Sequence, residues 1–209
     1  MMNIAFQPDP RKAFFDREAP GWDQIGEDYT QTERFETWFR GLGLCPGQSI
    51  LEIGCGTGTV LSWFLEAVGA AGRVAAVDLS AEMLARARDR CEQRPPLFSQ
   101  GEARKLPLAD AVFDHAFVIN AFPHLKPHAE ALSEIRRVLR PGGRVHITHF
   151  CGRDFINQIH RQAGKAVCED LLPPAAQMAQ TLRQFGFQTQ HCTEEKEFYF
   201  VCAGKSLAA

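Results

Sequence analysis

The ten residues Leu51–Val60, LEIGCGTGTV, run a short apolar strand straight into three glycines. A strand that ends in glycine at the entrance to a helix lets backbone approach a nucleotide-like ligand closely. Two features of the stretch narrow the ligand. A dinucleotide fingerprint asks for G-x-G-x-x-G, with the helix N-terminus aimed at a pyrophosphate. Here the glycines are Gly54, Gly56 and Gly58, and Thr59 stands at the third fingerprint position. Glu52 also lies two residues before Gly54, where its carboxylate would repel a phosphate and attract a cation.

Outward from this stretch, strand and helix patterns alternate. SILEIG reads as a buried strand and TVLSWFLEAVG as a helix closed by Gly69. RVAAVDL is the next strand, and Ser80 caps the helix AEMLARARDRCEQR, which Pro95-Pro96 stops. LFSQGEA and AVFDHAFVIN are further strands. HAEALSEIRRVLR is amphipathic, with Ala131, Leu132, Ile135, Val138 and Leu139 on one face, and Pro141-Gly142-Gly143 passes it to the strand RVHITHF. Such alternation predicts a doubly wound, Rossmann-like, mostly parallel sheet of seven strands. PAAQMAQTLRQFGF then reads as a helix, and FQTQHCT, EEK and EFYFVCAG as an antiparallel hairpin finishing the sheet. Before residue 49, QTERFETWFRGLGL is a helix on the core, preceded by an arm with Phe14, Phe15 and Trp22. The division expected is an N-terminal helical arm or lid over 1–45 and a cofactor-binding domain over 46–209, with a substrate-side insertion at 150–185.

Composition sets the bounds. The chain has 209 residues, 45% hydrophobic and 23% charged, and a formal net charge of −2, which offers no basic face for nucleic acid. Its seven cysteines are scattered and odd in number, which reads as reduced thiols in a cytosol. No window approaches the ~18 apolar residues of a membrane span. The opening MMNIAFQPDPRKAFFDREAPGW lacks an apolar signal core. A cytoplasmic protein without membrane or nucleic-acid partners is expected.

S-adenosylmethionine, which carries a sulfonium and an ammonium and no phosphate, fits the glycines and Glu52. Asp78, ending the second strand, suits ribose hydroxyls in either cofactor class. The chain resembles class I S-adenosylmethionine-dependent methyltransferases of the methyltransferase 11-like group from about residue 14 to 150. LEIGCGTG is similar to the family's first motif and VDLS to its second. GEARKLPLADAVFD and VINAFPHLKPHAEALSEIRRVLRPGGRVHI resemble later segments, and FFDREAPGWD looks like its N-terminal arm. The resemblance implies that Gly54, Cys55, Gly56 and Gly58 line the methionine part and that Glu52 orders the ammonium. It places Asp78 on the ribose, Leu79 and Met83 against the adenine, and Glu102 and Ala103 at the adenine edge. Glu102 stands where the family more often has Asp. Asn120 and Ala121 would border the methyl group, and Trp22 would close over the cofactor.

The catalytic residues are not legible, and His124, His149 and His160 are the candidates. Strand alternation puts His149 and Cys151 on one side and His146 on the other. His149 and His160 are expected to line an acceptor pocket. With Cys168 they match no zinc spacing, so no metal is expected. The leading expectation is methyl transfer to a small-molecule acceptor by in-line displacement. A non-catalytic S-adenosylmethionine-binding protein and a nicotinamide-dependent oxidoreductase are the competing readings.

Overall fold

The computed structural model describes residues 9–24 and 28–206. The arm expected over 1–45 and the reading of the opening residues therefore fall in part, at 1–8 and 25–27, outside the described residues. Seven strands form one sheet: β1 (Ser49–Ile53), β2 (Arg73–Asp78), β3 (Leu97–Gln100), β4 (Phe113–Ile119), β5 (Leu139–His149), β6 (Phe187–Glu195) and β7 (Phe198–Lys205). Their order is β3-β2-β1-β4-β5-β7-β6. The first five strands pair in parallel, while β7 runs antiparallel to both β5 and β6. The doubly wound sheet with an antiparallel C-terminal hairpin is as the alternation predicts.

The helices are α1 (Pro10–Glu18), α2 (Glu33–Gly41), α3 (Leu61–Val68), α4 (Ala81–Arg90), α5 (His128–Val138), α6 (Arg153–Gln162) and α7 (Ala175–Gln184). Successive side chains of a strand point to opposite faces, so each central strand feeds two cores. Ile50, Ala76 and Phe117 meet Phe35 of α2, Phe64 of α3 and Leu84 of α4. Leu51, Val77 and Val118 meet Leu132 and Ile135 of α5 and Leu182 of α7. Local chemistry sets the helix starts: the Thr32 side chain accepts from the Phe35 N–H, and that of Ser80 from the Met83 N–H.

Two boundaries differ from the sequence reading. α4 ends at Arg90, with Cys91 closing it, several residues before the proline pair. α5 stops at Val138 because Leu139 has already turned extended, at φ −74° and ψ 138°. The Pro-Gly-Gly segment is a bulge inside β5, shifting its register against β4 between Phe113 and His115. Gly143 is required there, because a Cβ would stand 3.0–3.2 Å from the carbonyl oxygens of Arg140, Phe113 and Asp114.

The arm is folded and fastened. The Ser80 hydroxyl donates to Asp16 at 2.6 Å, and the Thr57 hydroxyl, in the glycine loop, donates to Asp23 at 2.5 Å. Among the described residues no helix is long and apolar enough to cross a bilayer.

Candidate functional site

The carboxyl ends of β1, β2 and β4, roofed by the arm, enclose a cavity with about 1040 Å³ of empty space, its open mouth included. Its floor is the glycine loop. Gly54 and Gly56 have φ of 74° and 52°, values that favour glycine, and both border the cavity with Cys55. A Cβ on Gly54 would stand 2.6 Å from the Ala121 Cβ, so this loop has no room for a larger residue. Gly58 turns away: a Cβ there would press on Ala87 of α4, and Gly58 does not border the cavity.

Glu52 borders the cavity from inside β1 and is 3% exposed. Its Oε2 has no hydrogen-bond partner among the described residues. Burial, and then the nearby Asp78, push its pKa up to about 8. A carboxylate in that position ionises readily only when a cation arrives. Asp78 ends β2, and its two oxygens accept from the N–H of Gly56 at 2.8 Å and of Ser80 at 2.9 Å. Burial raises its pKa as well, and these backbone donors partly offset the rise. Leu79, Met83, Glu102 and Ala103 continue one wall, with Glu102 paired to Arg104.

The opposite wall is the end of β4. Asn120 holds φ at 52°, a left-handed conformation that asparagine tolerates better than most residues. Its N–H reaches the Thr148 carbonyl at 2.8 Å, and its side-chain oxygen accepts from the Phe150 N–H at 3.0 Å. Asn120 and Ala121 thus present a fixed rim to the cavity. From the arm, Phe15 and Trp22 form the roof, their rings meeting edge to face at 5.7 Å. The Trp22 Nε1 stands 3.9 Å from where a Gly56 Cβ would be, so the indole lies over the glycine loop.

The three candidate histidines part company. His124 borders the cavity, beside Phe15, and its Nδ1 lies 2.9 Å from Asp170 Oδ2. His160 sits behind it, 4.6 Å away between ring centroids, with its Nδ1 bonded to the Asp170 carbonyl. His149 is buried beside Tyr199, and both its ring nitrogens lack a partner among the described residues. Burial, followed by the charges of His124 and His160, lowers its pKa to about 3. Neither His149 nor His160 borders the cavity. Among the described residues, no group of three His, Cys, Asp or Glu side chains is arranged to hold a metal ion.

Sequence reasoning missed Tyr29 and Asp170. Tyr29 borders the cavity, stacked on Phe150 at 4.7 Å, and burial followed by Glu52 and Asp28 raises its pKa. A lone aromatic in the polar run GEDYTQ was the available signal. Asp170 accepts from Arg11 of α1 at 2.9 Å, and from Lys126 at 2.8 Å, as well as meeting His124. Burial alone would raise its pKa, but the His124 and Lys126 contacts and the Arg11 charge hold it well below the usual range. Nothing in CEDLLPP marks it.

Comparison with known proteins gives a consistent likeness. A family model described as a methyltransferase domain matches residues 51–147. A 2-phytyl-1,4-naphtoquinone methyltransferase of Trichormus variabilis is 30% identical over 147 residues, covering 66% of this chain and 64% of that protein. Over residues 51–147 the chain is similar to methyltransferase domains. An uncharacterized 37.1 kDa protein in transposon TN4556 of Streptomyces fradiae is 45% identical over 101 residues, which is 48% of this chain and 29% of that protein. The chain thus spans less than two thirds of the length of these curated relatives. In fold it is similar to an S-adenosylmethionine-dependent methyltransferase from Aquifex aeolicus, with a TM-score of 0.68 at 23% identity. That match covers 96% of this chain and 100% of that one.

Proposed function

We propose that the chain binds S-adenosylmethionine in this cavity and methylates a small-molecule acceptor carrying a hydroxyl group. One observation carries the reading: the buried Glu52 Oε2, without a partner among the described residues, borders the same cavity as the glycine loop. It demands a cationic ligand, and the ammonium of a methionine moiety answers it. Asp78 would take the ribose hydroxyls, and Leu79, Met83 and Ala103 the adenine. When bound, the cofactor supplies an electrophilic methyl group on sulfur.

The protein's own residues would do the rest. Asn120 and Ala121 border the reacting end, and Phe15 and Trp22 exclude water, which favours a reaction that disperses charge. His124 would take the acceptor's proton. Asp170 accepts its Nδ1–H, which leaves Nε2 as the basic nitrogen. Asp170 is therefore a positioning residue. The curated relative that acts on a naphtoquinone favours an acceptor with a flat ring, and the aromatic roof suits one.

A calorimetric titration with S-adenosylhomocysteine, beside one with NADH, tests the cofactor. Micromolar binding of the first alone is expected, and the reverse would restore the oxidoreductase reading. Release of S-adenosylhomocysteine with a panel of phenols and quinols then tests turnover. His124→Asn should lower kcat by about 100-fold with little change in KM for the donor. No turnover with any acceptor, despite tight binding, would leave a non-catalytic binder.

A further inference from the structure

The amino-acid end of a methyl donor carries two charges, and Glu52 can answer only the ammonium. The α-carboxylate needs hydrogen-bond donors of its own, and a bare one so close to Glu52 and Asp78 would be repelled. Much of the glycine loop is already committed. The N–H groups of Gly54 and Cys55 reach the Val77 carbonyl at 2.8 and 3.2 Å, and that of Gly56 reaches Asp78 at 2.8 Å. The Thr57 hydroxyl is given to Asp23. Cations are committed too. Among the described residues bordering the cavity Lys126 is the one lysine or arginine, and it lies 2.8 Å from Asp170. Arg90 is paired with Asp23 and does not border the cavity.

Two neutral donors of the arm stand where a cation is missing. Trp22 borders the cavity, and its Nε1 lies 3.9 Å from the position that a Gly56 Cβ would take. Tyr29 also borders the cavity, and its ring is stacked on Phe150 at 4.7 Å with 8° between the planes. Both neighbours of Tyr29 are held in place. Asp28 accepts from the N–H and the hydroxyl of Thr30, which fixes the turn that carries Tyr29. The Phe150 N–H donates to the Asn120 side chain at 3.0 Å. Burial, followed by Glu52 and Asp28, raises the Tyr29 pKa, so the phenol keeps its proton and can donate. Among the described residues the arm's side chains bond to the domain through Arg11, Asp16 and Asp23, which leaves both ring donors to face a ligand.

We propose that Trp22 and Tyr29 form the carboxylate subsite of the donor cavity. The Trp22 Nε1–H and the Tyr29 O–H donate to the α-carboxylate of the molecule whose ammonium meets Glu52. This rests on the reading of the cavity as an S-adenosylmethionine site. It makes the arm a part of the donor site as well as its roof. No residue of α1 is buried, so the arm has few apolar fastenings and the donor's carboxylate adds two polar ones.

The test compares two ligands that differ in this one group: S-adenosylhomocysteine and its decarboxylated analogue, which keeps the amine. Both are titrated calorimetrically into the full chain. The parent should bind S-adenosylhomocysteine about 100-fold more tightly, because two hydrogen bonds to a charged group are absent from the analogue's complex. Tyr29→Phe, which keeps the stack on Phe150, and Trp22→Phe should each weaken S-adenosylhomocysteine about tenfold. Each should leave the analogue within threefold of its affinity for the parent. That second readout shows the variants folded, and it separates the missing N–H from the missing indole bulk, which both ligands feel alike. The double variant should bind the two ligands within threefold of each other. Equal affinity of the parent for both ligands would overturn the proposal, as would a loss shared equally by both ligands in either variant. A parent that binds neither ligand would overturn the donor-site reading itself, and the proposal with it.

Discussion

Glu52 and Asp170 are both buried carboxylates, 3% and 2% exposed; Glu52 borders the cavity, and Asp170 lies behind His124 and Lys126, which border it. Their surroundings are opposite. Glu52 has one oxygen with no partner among the described residues and a pKa pushed up to about 8. Asp170 has Arg11, Lys126 and His124 on its two oxygens and is held firmly ionised. Charges are buried at a cost that partners must offset. At Asp170 the chain supplies those partners itself, drawing in the arm, the loop after β4 and the segment after α6. At Glu52 the described residues supply none to Oε2. One carboxylate ties three segments together and the other keeps an oxygen unpaired among the described residues.

That contrast breaks first at Asp170. Asp170→Ala should cost about 3 kcal/mol of stability, because Arg11 and Lys126 are left facing each other over a void. Urea unfolding of the variant without ligand measures it, and a loss under 1 kcal/mol would reduce Asp170 to an ordinary surface pair. Glu52→Gln should do the reverse. Its stability at pH 8 should equal or exceed that of the parent by about 1 kcal/mol, while S-adenosylhomocysteine affinity falls about 100-fold. Loss of both together would mean that Glu52 is structural.

The pH dependence sharpens the same contrast. Glu52 has a folded pKa above its unfolded value of 4.5, so the folded chain holds a proton that the unfolded chain has released. Its contribution to stability is therefore largest below pH 4.5 and is lost as pH rises toward about 8. Asp170 works the other way: its contribution is present above pH 3.8 and is lost as pH falls below it. Unfolding free energies of the ligand-free parent and Glu52→Gln, compared between pH 5 and 8, should diverge steadily as pH rises. Saturating S-adenosylhomocysteine should flatten that divergence.

The smallest effect belongs to an exposed pair on the arm. Arg90 lies 2.6 Å from Asp23, but the two side chains are 35% and 44% exposed. Arg90→Ala should change unfolding free energy by less than about 0.5 kcal/mol. A larger effect would show the arm held by its surface charges as much as by Asp170.

The legibility of the sequence follows the same divide. Glu52, Asp78 and the glycines stand within local strand and turn patterns whose periods read directly from Leu51 to Asp78. The hairpin follows from the same alternation, whereas Asn120 and Ala121 are legible only through the resemblance. Asp170 does not, because its role arises only when Arg11, 159 residues away, and His124, 46 residues away, are brought to it. The early end of α5 and the bulge in β5 escaped notice because the apolar rhythm continues through Leu139 while the backbone has already changed direction.

The placement of β7 carries a consequence for synthesis. It sits between β5 and β6, yet it is the last of the described strands to leave a ribosome. Until residue 205 emerges, β5 presents an open row of backbone donors and acceptors at the middle of an unfinished sheet. Such an edge pairs with whatever strand it meets first. A nascent chain stalled before Phe198 is therefore a strong substrate for a chaperone, and a weak one as soon as the hairpin closes.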